Sequence, residues 1–224
     1  MARVLVVVSH RDDETLGLGG VIARHVVSGD TVAAISMTDG VSARANGSLE
    51  QESMARLEAS IVAAEILGFE WLGSASFPDN KMDAVALLDI VKFIEAMKQE
   101  FGPELLYTHF PGDLNIDHAL TARAAFTAFR PEHGSVLKEI RTFEVPSATD
   151  YGTIIGNTFA PNLFIDVSRF WETKTQALRA YETELRNPPH SRSLEGIEAL
   201  ASLRGHQNCL GLAEAFQIHR KLEV

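Results

Sequence analysis

Apolar and polar positions fall in blocks along this chain, and the first block organises the rest. Val4 to Val8 is an apolar, mostly β-branched run without charge, the pattern of a strand buried on both faces. It predicts a central parallel strand. The run stops at Ser9, and His10, Arg11, Asp12, Asp13 and Glu14 follow at what is then the strand's carboxyl end, where open α/β sheets bind ligands. Leu16 to Val27 has helix-compatible spacing, Gly29-Asp30 ends it, and Thr31 to Met37 supplies the second strand of a βαβ unit. Thr38-Asp39-Gly40 closes that strand at the same rim, and Arg44 to Ser48 reads as loop.

The same logic continues downstream. Met54, Leu57, Ile61, Ala64 and Gly68 follow helical spacing, with Glu52 and Arg56 four apart on the opposite, outer face. Trp71 to Phe77 reads as a strand that breaks at the loop residues Pro78-Asp79-Asn80. Ala84 to Phe101 predicts an amphipathic helix ended by Gly102-Pro103, and Leu105 to Thr108 a further strand. A second polar cluster, His109 to His118, follows at once and leads into a helix through Phe129. Glu139 to Val145 and Asn162 to Val167 are expected strands. Helices over 168–186 and 194–203 flank the loop Asn187-Pro-Pro-His190-Ser-Arg192-Ser, and the end of the chain, 205–224, is expected to be a short helix over the sheet. Repeats, low-complexity tracts and heptads are absent from the sequence.

Composition narrows the picture. A chain of 224 residues with 46% apolar and 22% charged residues fits one fully folded α/β domain spanning 1–224. The formal net charge of −10 argues against nucleic acid as a partner, since phosphate backbones call for clustered Lys and Arg. The apolar run at the start is too short for a membrane span, so a cytoplasmic protein is expected. Cys209 is the single cysteine, so any metal must sit on His, Asp or Glu.

That set is present. Zinc hydrolases often use two His and one carboxylate with water in the fourth position. His10 and Asp13 share one strand-end loop, and His118 opens the helix after another strand; adjacent parallel strands would bring them together. Asp12, beside a ligand without being needed as one, is the natural base for the metal-bound water. His109 and His190 are candidate acids. Gly17, Gly19 and Gly20 resemble a dinucleotide fingerprint, but the last glycine of GxGxxG would fall at Ile22, so they are expected to serve a close helix-to-strand turn. Neither GxSxG nor GxxxxGK[ST] occurs.

These residues resemble the signatures of the PIG-L/LmbE-like zinc-dependent N-deacetylases. SHRDDETLGLGG is similar to their HPDDE followed by GG, and HFPGDLNIDH to their second signature. Further similarity runs through TDGVSAR, the RxE helix ending in ILGF, FPDNKMD, EVPSAT, FAPNLFIDV, KTQALRAYETEL, PPHSRS and AEAF. The resemblance implies a Rossmann-like, mostly parallel sheet flanked by helices. It implies one Zn²⁺ on His10, Asp13 and His118, Asp12 as general base with Asp117 as its companion, and Asn115 helping to hold the scissile carbonyl. Several relatives have His at that last position; Asn can donate a hydrogen bond but shuttles no proton, leaving Asp12 itself or His190 as the acid.

Arg11 stands where the family has proline. It is expected to pair with Glu14, with lowered Asp12 basicity or contact with an anionic substrate as the alternatives. Arg44, Arg56, Asp79, Asn80, His190 and Arg192 are candidate sugar-binding residues. The expected activity is removal of the acetyl group from an N-acetylated amino sugar or glycoconjugate. Two rivals stand beside it: hydrolysis of another N-acyl compound or thiol conjugate, and a non-catalytic sugar or nucleotide-sugar binding protein. Assembly into a homo-oligomer is compatible with the charge and patterning.

Overall fold

The computed structural model describes residues 1–38, 40 and 49–223. Seven strands form one sheet: β1 (Arg3–Val8), β2 (Thr31–Thr38), β3 (Glu70–Phe77), β4 (Leu105–His109), β5 (Glu139–Phe143), β6 (Leu163–Asp166) and β7 (Ala213–Lys221). Their spatial order is β3-β2-β1-β4-β5-β7-β6, parallel from β3 through β5, with β7 antiparallel to both its neighbours. The chain builds outward from β1 to β2 and β3, then restarts at β4 on the other side. The crevice between the carboxyl ends of β1 and β4 is therefore the topological switch point.

Among the described residues six α-helices cover the sheet: α1 (Asp13–Val27), α2 (Leu49–Leu67), α3 (Leu87–Phe101), α4 (Ile116–Ala128), α5 (Trp171–Ala180) and α6 (Leu194–His206). Alternate residues of β1 feed two cores. Val4, Val6 and Val8 pack with α1, α2 and α5, while Leu5 and Val7 pack with α3 and α4. Every residue from Val4 to Val8 is at most 1% exposed, so each contributes roughly 1.5–3 kcal/mol of transfer free energy. The glycines of α1 serve close approach, as their spacing suggested: a Cβ on Gly17 would collide with the Phe143 ring, and one on Gly20 would come within 2.8 Å of Val167. Among the described residues no helix is long and apolar enough to cross a membrane.

Three expectations need correction. The chain's last element is not a helix: 213–221 forms β7, inserted between β5 and β6. The alternation Phe216-Gln217-Ile218-His219 is a strand signal, obscured by Glu214, which is buried for a reason outside its own strand. Helix α1 kinks at Leu18 (φ −148°, ψ 23°), releasing hydrogen-bonding groups normally joined within the helix. Glu214 accepts the N–H groups of Gly20 and Val21 at 2.9 and 2.8 Å, and Lys174 donates to Leu16 O at 2.9 Å and to Glu214 at 2.7 Å. Lys174→Met leaves Glu214 buried without its counter-charge and is expected to cost about 3–5 kcal/mol in chemical denaturation. Adding Glu214→Leu should recover only part of this, because the kinked backbone then loses its partners; full recovery would show that the pair does not cap the kink.

The second correction concerns α2, whose expected apolar face points outward over Met54, Leu57 and Ile61 and reaches the core only at Ala64. Met54, Leu57 and Ile61 are 44–57% exposed, while Arg56, Ser60, Ala63 and Leu67 are buried. Its inner face joins the core at Ala63, Ala64 and Leu67 and places the polar groups of Arg56 and Ser60 toward the site. The third concerns 168–186, which is not one helix but α5 between short 3₁₀ turns at Ser168–Phe170 and Glu182–Glu184. Tyr181 leaves helical geometry (φ −93°, ψ 39°), and its hydroxyl reaches Glu14.

Candidate metal centre and pocket

The switch-point crevice gathers the two polar clusters. His10 Nδ1 lies 3.2 Å from Asp13 Oδ2, His118 Nε2 lies 3.3 Å from the same oxygen, and the two ring nitrogens are 3.3 Å apart. Ligand atoms about 2.0–2.1 Å from a tetrahedral zinc are spaced by about 3.3 Å, so this triangle fits the ion. Asp13 Oδ1 is buried with no partner among the described residues, as a carboxylate with unused capacity to ligate would be.

The residues behind the triangle fix its orientation. His10 Nε2 lies 3.0 Å from Asp79 Oδ1 and 3.2 Å from Asp117 Oδ2, and His118 Nδ1 lies 3.2 Å from Asp113 Oδ2. Such carboxylate-histidine pairs set which nitrogen faces a metal and raise its basicity. Asp113 is itself held by the Thr149 hydroxyl at 2.6 Å. Burial disfavours charge on both rings, yet the carboxylates win: Asp117, Asp13 and Asp79 hold His10 well above the ordinary histidine range, and Asp13 and Asp113 raise His118 to about 9. The centre attracts positive charge. His109, by contrast, is held well below its usual range by burial and by His118, on which it stacks at 4.0 Å.

Asp79, Asp117 and His10 form a second group able to hold a cation. Asp117 also holds the adjoining loop there, since its two oxygens accept the backbone N–H groups of Asn80 and Met82 at 2.6 and 3.1 Å. The resemblance made Asp117 the companion of Asp12, but its contacts put it behind His10.

Asp12 caps α1 with φ at 154°, a strained value for a residue with a side chain. Glu14 holds it there, accepting the Asp12 N–H at 3.0 Å while the hydroxyls of Thr15 and Tyr181 donate to Glu14 at 2.7 and 2.8 Å. Burial raises Glu14 to about 7. The Asp12 carboxylate faces Arg56 and Arg192, each at 3.7 Å, and Arg56 is anchored by Glu184 at 2.5 Å. Burial pushes the Asp12 carboxyl up, against the pull of Arg56.

These groups border a cavity of about 220 Å³, lined by His10, Asp12 and Asp13 at one end and by Arg56, Asp79, Asn80, Asn115, Glu184, Arg186 and Arg192 around it. Asn115 caps α4 by accepting the Asp117 N–H through Oδ1 at 2.9 Å, which turns its amide NH₂ toward Asn80 and the cavity.

Of the expected sugar-binding set, Arg56, Asp79, Asn80 and Arg192 line this cavity; Arg44 lies outside the described residues. His190 does not line it: the ring is exposed and its Nδ1 accepts the Arg192 N–H at 3.0 Å, shaping the loop. Arg11 also departs from expectation. It does not pair with Glu14 but donates to Ser60 at 2.8 Å and covers the Trp71 ring at 4.6 Å, docking the strand-end loop on α2 and β3. Sequence reasoning missed Asp113, Tyr181, Glu184 and Arg186. The first lies within the quoted second signature, and Tyr181 and Glu184 lie within the quoted KTQALRAYETEL.

A doubly wound sheet with a buried His–Asp–His group at its switch point defines an α/β protein built around a candidate metal centre. The chain belongs to the PIG-L (GlcNAc-PI de-N-acetylase) family, whose model matches residues 5–129, from β1 to the end of α4. It is 27% identical over 188 residues to a diacetylchitobiose deacetylase of Thermococcus kodakarensis, covering 81% of this chain and 70% of that one. Among solved structures it resembles the N,N'-diacetylchitobiose deacetylase of Pyrococcus horikoshii (TM-score 0.80, 18% identity, 98% of this chain and 84% of that one). It equally resembles GalB, the 4-carboxy-2-hydroxymuconate hydratase of Pseudomonas putida KT2440 (TM-score 0.79, 22% identity, 100% and 98%). The last two likenesses concern the fold.

Proposed function

We propose that this protein is a zinc-dependent N-deacetylase acting on an N-acetylated amino sugar or glycoconjugate. The observation that carries the reading is the 3.2–3.3 Å triangle of His10, Asp13 and His118 at the inner end of a cavity that also presents Asp12. Its family and the deacetylase names of its relatives support the same chemistry.

When bound by His10, Asp13 and His118, zinc supplies an acidified water and polarises a carbonyl oxygen. Asp12 takes the proton of the attacking water. Arg56 keeps Asp12 aimed while burial keeps it basic enough to accept that proton. The Asn115 amide donates to the acetyl oxygen as charge develops there. Asp12 then returns the proton to the sugar nitrogen as the C–N bond breaks, giving free amine and acetate. His190, outside the cavity, has no part in this scheme.

Metal-loaded protein should release acetate and amine in equal amounts from at least one N-acetyl sugar, and metal-stripped protein should not. Absence of acetate from every N-acetyl compound with metal bound would overturn the reading. Water addition to an unsaturated carboxylate, the chemistry in the name of the Pseudomonas neighbour, is a second reading favoured by the arginines of the cavity. It predicts loss of the substrate's ultraviolet absorbance without acetate. A non-catalytic reading built on Arg11 loses its footing, because Arg11 is turned toward Ser60 and Trp71.

Metal affinity should depend on pH with a defined sign. The carboxylates around them raise both rings, His10 well above the ordinary histidine range and His118 to about 9, so a metal competes with protons for these nitrogens. Affinity is expected to rise from pH 6 toward 9, by up to about tenfold per unit for each proton displaced. Competition against a chelator of known pH dependence measures this; a flat profile would remove both histidines as ligands.

A further inference from the structure

Small-molecule sites are ordinarily mostly apolar, with a few placed polar groups. The cavity before His10 is the reverse. Among the described residues its lining is ionisable and amide side chains with Gly40, and it offers no aromatic or aliphatic face for a neutral sugar ring. What it offers is guanidinium, from Arg56, Arg186 and Arg192.

The donors of these groups exceed the acceptors that meet them. Arg56 is anchored on Glu184, but its Nε is buried with no partner among the described residues. Arg192 comes no closer than 3.7 Å to Asp12, beyond hydrogen-bonding reach, and its Nε is likewise buried without an acceptor. Arg186 is exposed, and among the described residues its guanidinium makes one long bond of 3.4 Å, to Thr183 O. A backbone bond of 3.2 Å from Arg186 N–H to Arg192 O joins these two positions across the loop between them, so both side chains arise at one wall of the cavity. Four carboxylates of the lining oppose these three guanidiniums, and a divalent cation on His10, Asp13 and His118 would offset two of those negative charges at the far side from Arg186. Paired guanidiniums with unmet donors match the oxygens of an anion, which each can meet with two parallel N–H donors.

We propose that the substrate carries an anionic group, carboxylate or phosphate, and that Arg186 and Arg192 bind it while the acyl group lies at His10 and Asp12. Which end reacts rests on the deacetylase reading; the anion site does not. N-acetylglucosamine, its 1-phosphate, its 6-phosphate and N-acetylmuramic acid separate the neutral, phosphate and carboxylate cases.

Calorimetry on the metal-loaded protein is expected to show at least tenfold tighter binding of one anionic sugar than of the neutral parent. Arg186→Gln and Arg192→Gln should each cut that preference about fivefold or more, chiefly through KM where turnover is measured. Arg186 is exposed, so its replacement leaves the fold intact. Equal binding of neutral and anionic sugars would overturn the proposal. So would a preference that survives in the double variant, which would assign the anion to the metal. Anion preference without acetate release would uphold the arginine site and remove the deacetylase reading; acetate release without preference would do the opposite.

Discussion

Asp12→Asn is expected to lower kcat by about 10²–10⁴-fold while the protein still binds one metal per chain. The two consequences separate because Asp12 and Asp13, though adjacent, face different partners. Asp13 Oδ2 sits in the His10–His118 triangle, whereas the Asp12 carboxylate lies toward Arg56 and Arg192. Asparagine preserves the size and branching of aspartate, and the Asp12 N–H bond to Glu14 does not involve the altered side chain, so the strained cap on α1 survives. What is lost is the oxygen that takes a proton. The pH profile of kcat/KM should lose the limb that Asp12 contributes, while metal content and melting temperature stay near those of the parent. Turnover within tenfold of the parent, with metal bound, would remove Asp12 as the base. A comparable loss in Glu14→Gln, which removes charge beneath Asp12 without touching the cavity, would show that the strained Asp12 backbone matters as well.

The centre of the fold was legible because its signals are local. The uncharged β-branched run of β1 states burial on both faces, and each strand–polar cluster–helix sequence states where a sheet's carboxyl edge presents ligands. His10, Asp13 and His118 could be grouped on that logic alone. The faces of α2 could not, because Met54, Leu57 and Ile61 give the periodic apolar signal while the inner face is chosen by what the site needs, Arg56 against Asp12 and Ser60 against Arg11. Function overrode amphipathicity there. The same holds for β7, whose Glu214 looks like solvent-facing charge until the kink of α1 supplies the backbone groups it satisfies.

Long-range polar partners are the common feature of what was missed. Glu14 with Tyr181 and Lys174 with Glu214 lie far apart in sequence, and neither member announces its partner. Asp113 is the instructive exception. It stands five positions before His118 in the quoted motif, and its role follows from needing a carboxylate behind a ligating imidazole rather than from spacing alone.

That role leads to the second large effect. His118→Ala should weaken metal binding far more than about 100-fold, the upper range for loss of an outer partner, and Asp113→Ala should weaken it about 10–100-fold. The order follows from position: His118 Nε2 is a corner of the triangle, while Asp113 acts only on the opposite nitrogen of that ring. Asp113→Ala also frees the Thr149 hydroxyl, so a modest loss of stability should accompany it. Asn115→Ala removes a cap and a cavity donor but should leave metal affinity within a few-fold of the parent. Chelator competition on the parent, these three variants and Asp79→Ala gives the ranking directly. If His118→Ala binds metal as tightly as the parent and Asp79→Ala does not, the ion belongs to His10, Asp79 and Asp117 instead. Asp117 already accepts a backbone N–H on each oxygen, from Asn80 and Met82, whereas Asp13 keeps Oδ1 buried with no partner among the described residues, and for that reason the His10–Asp13–His118 triangle is the expected seat.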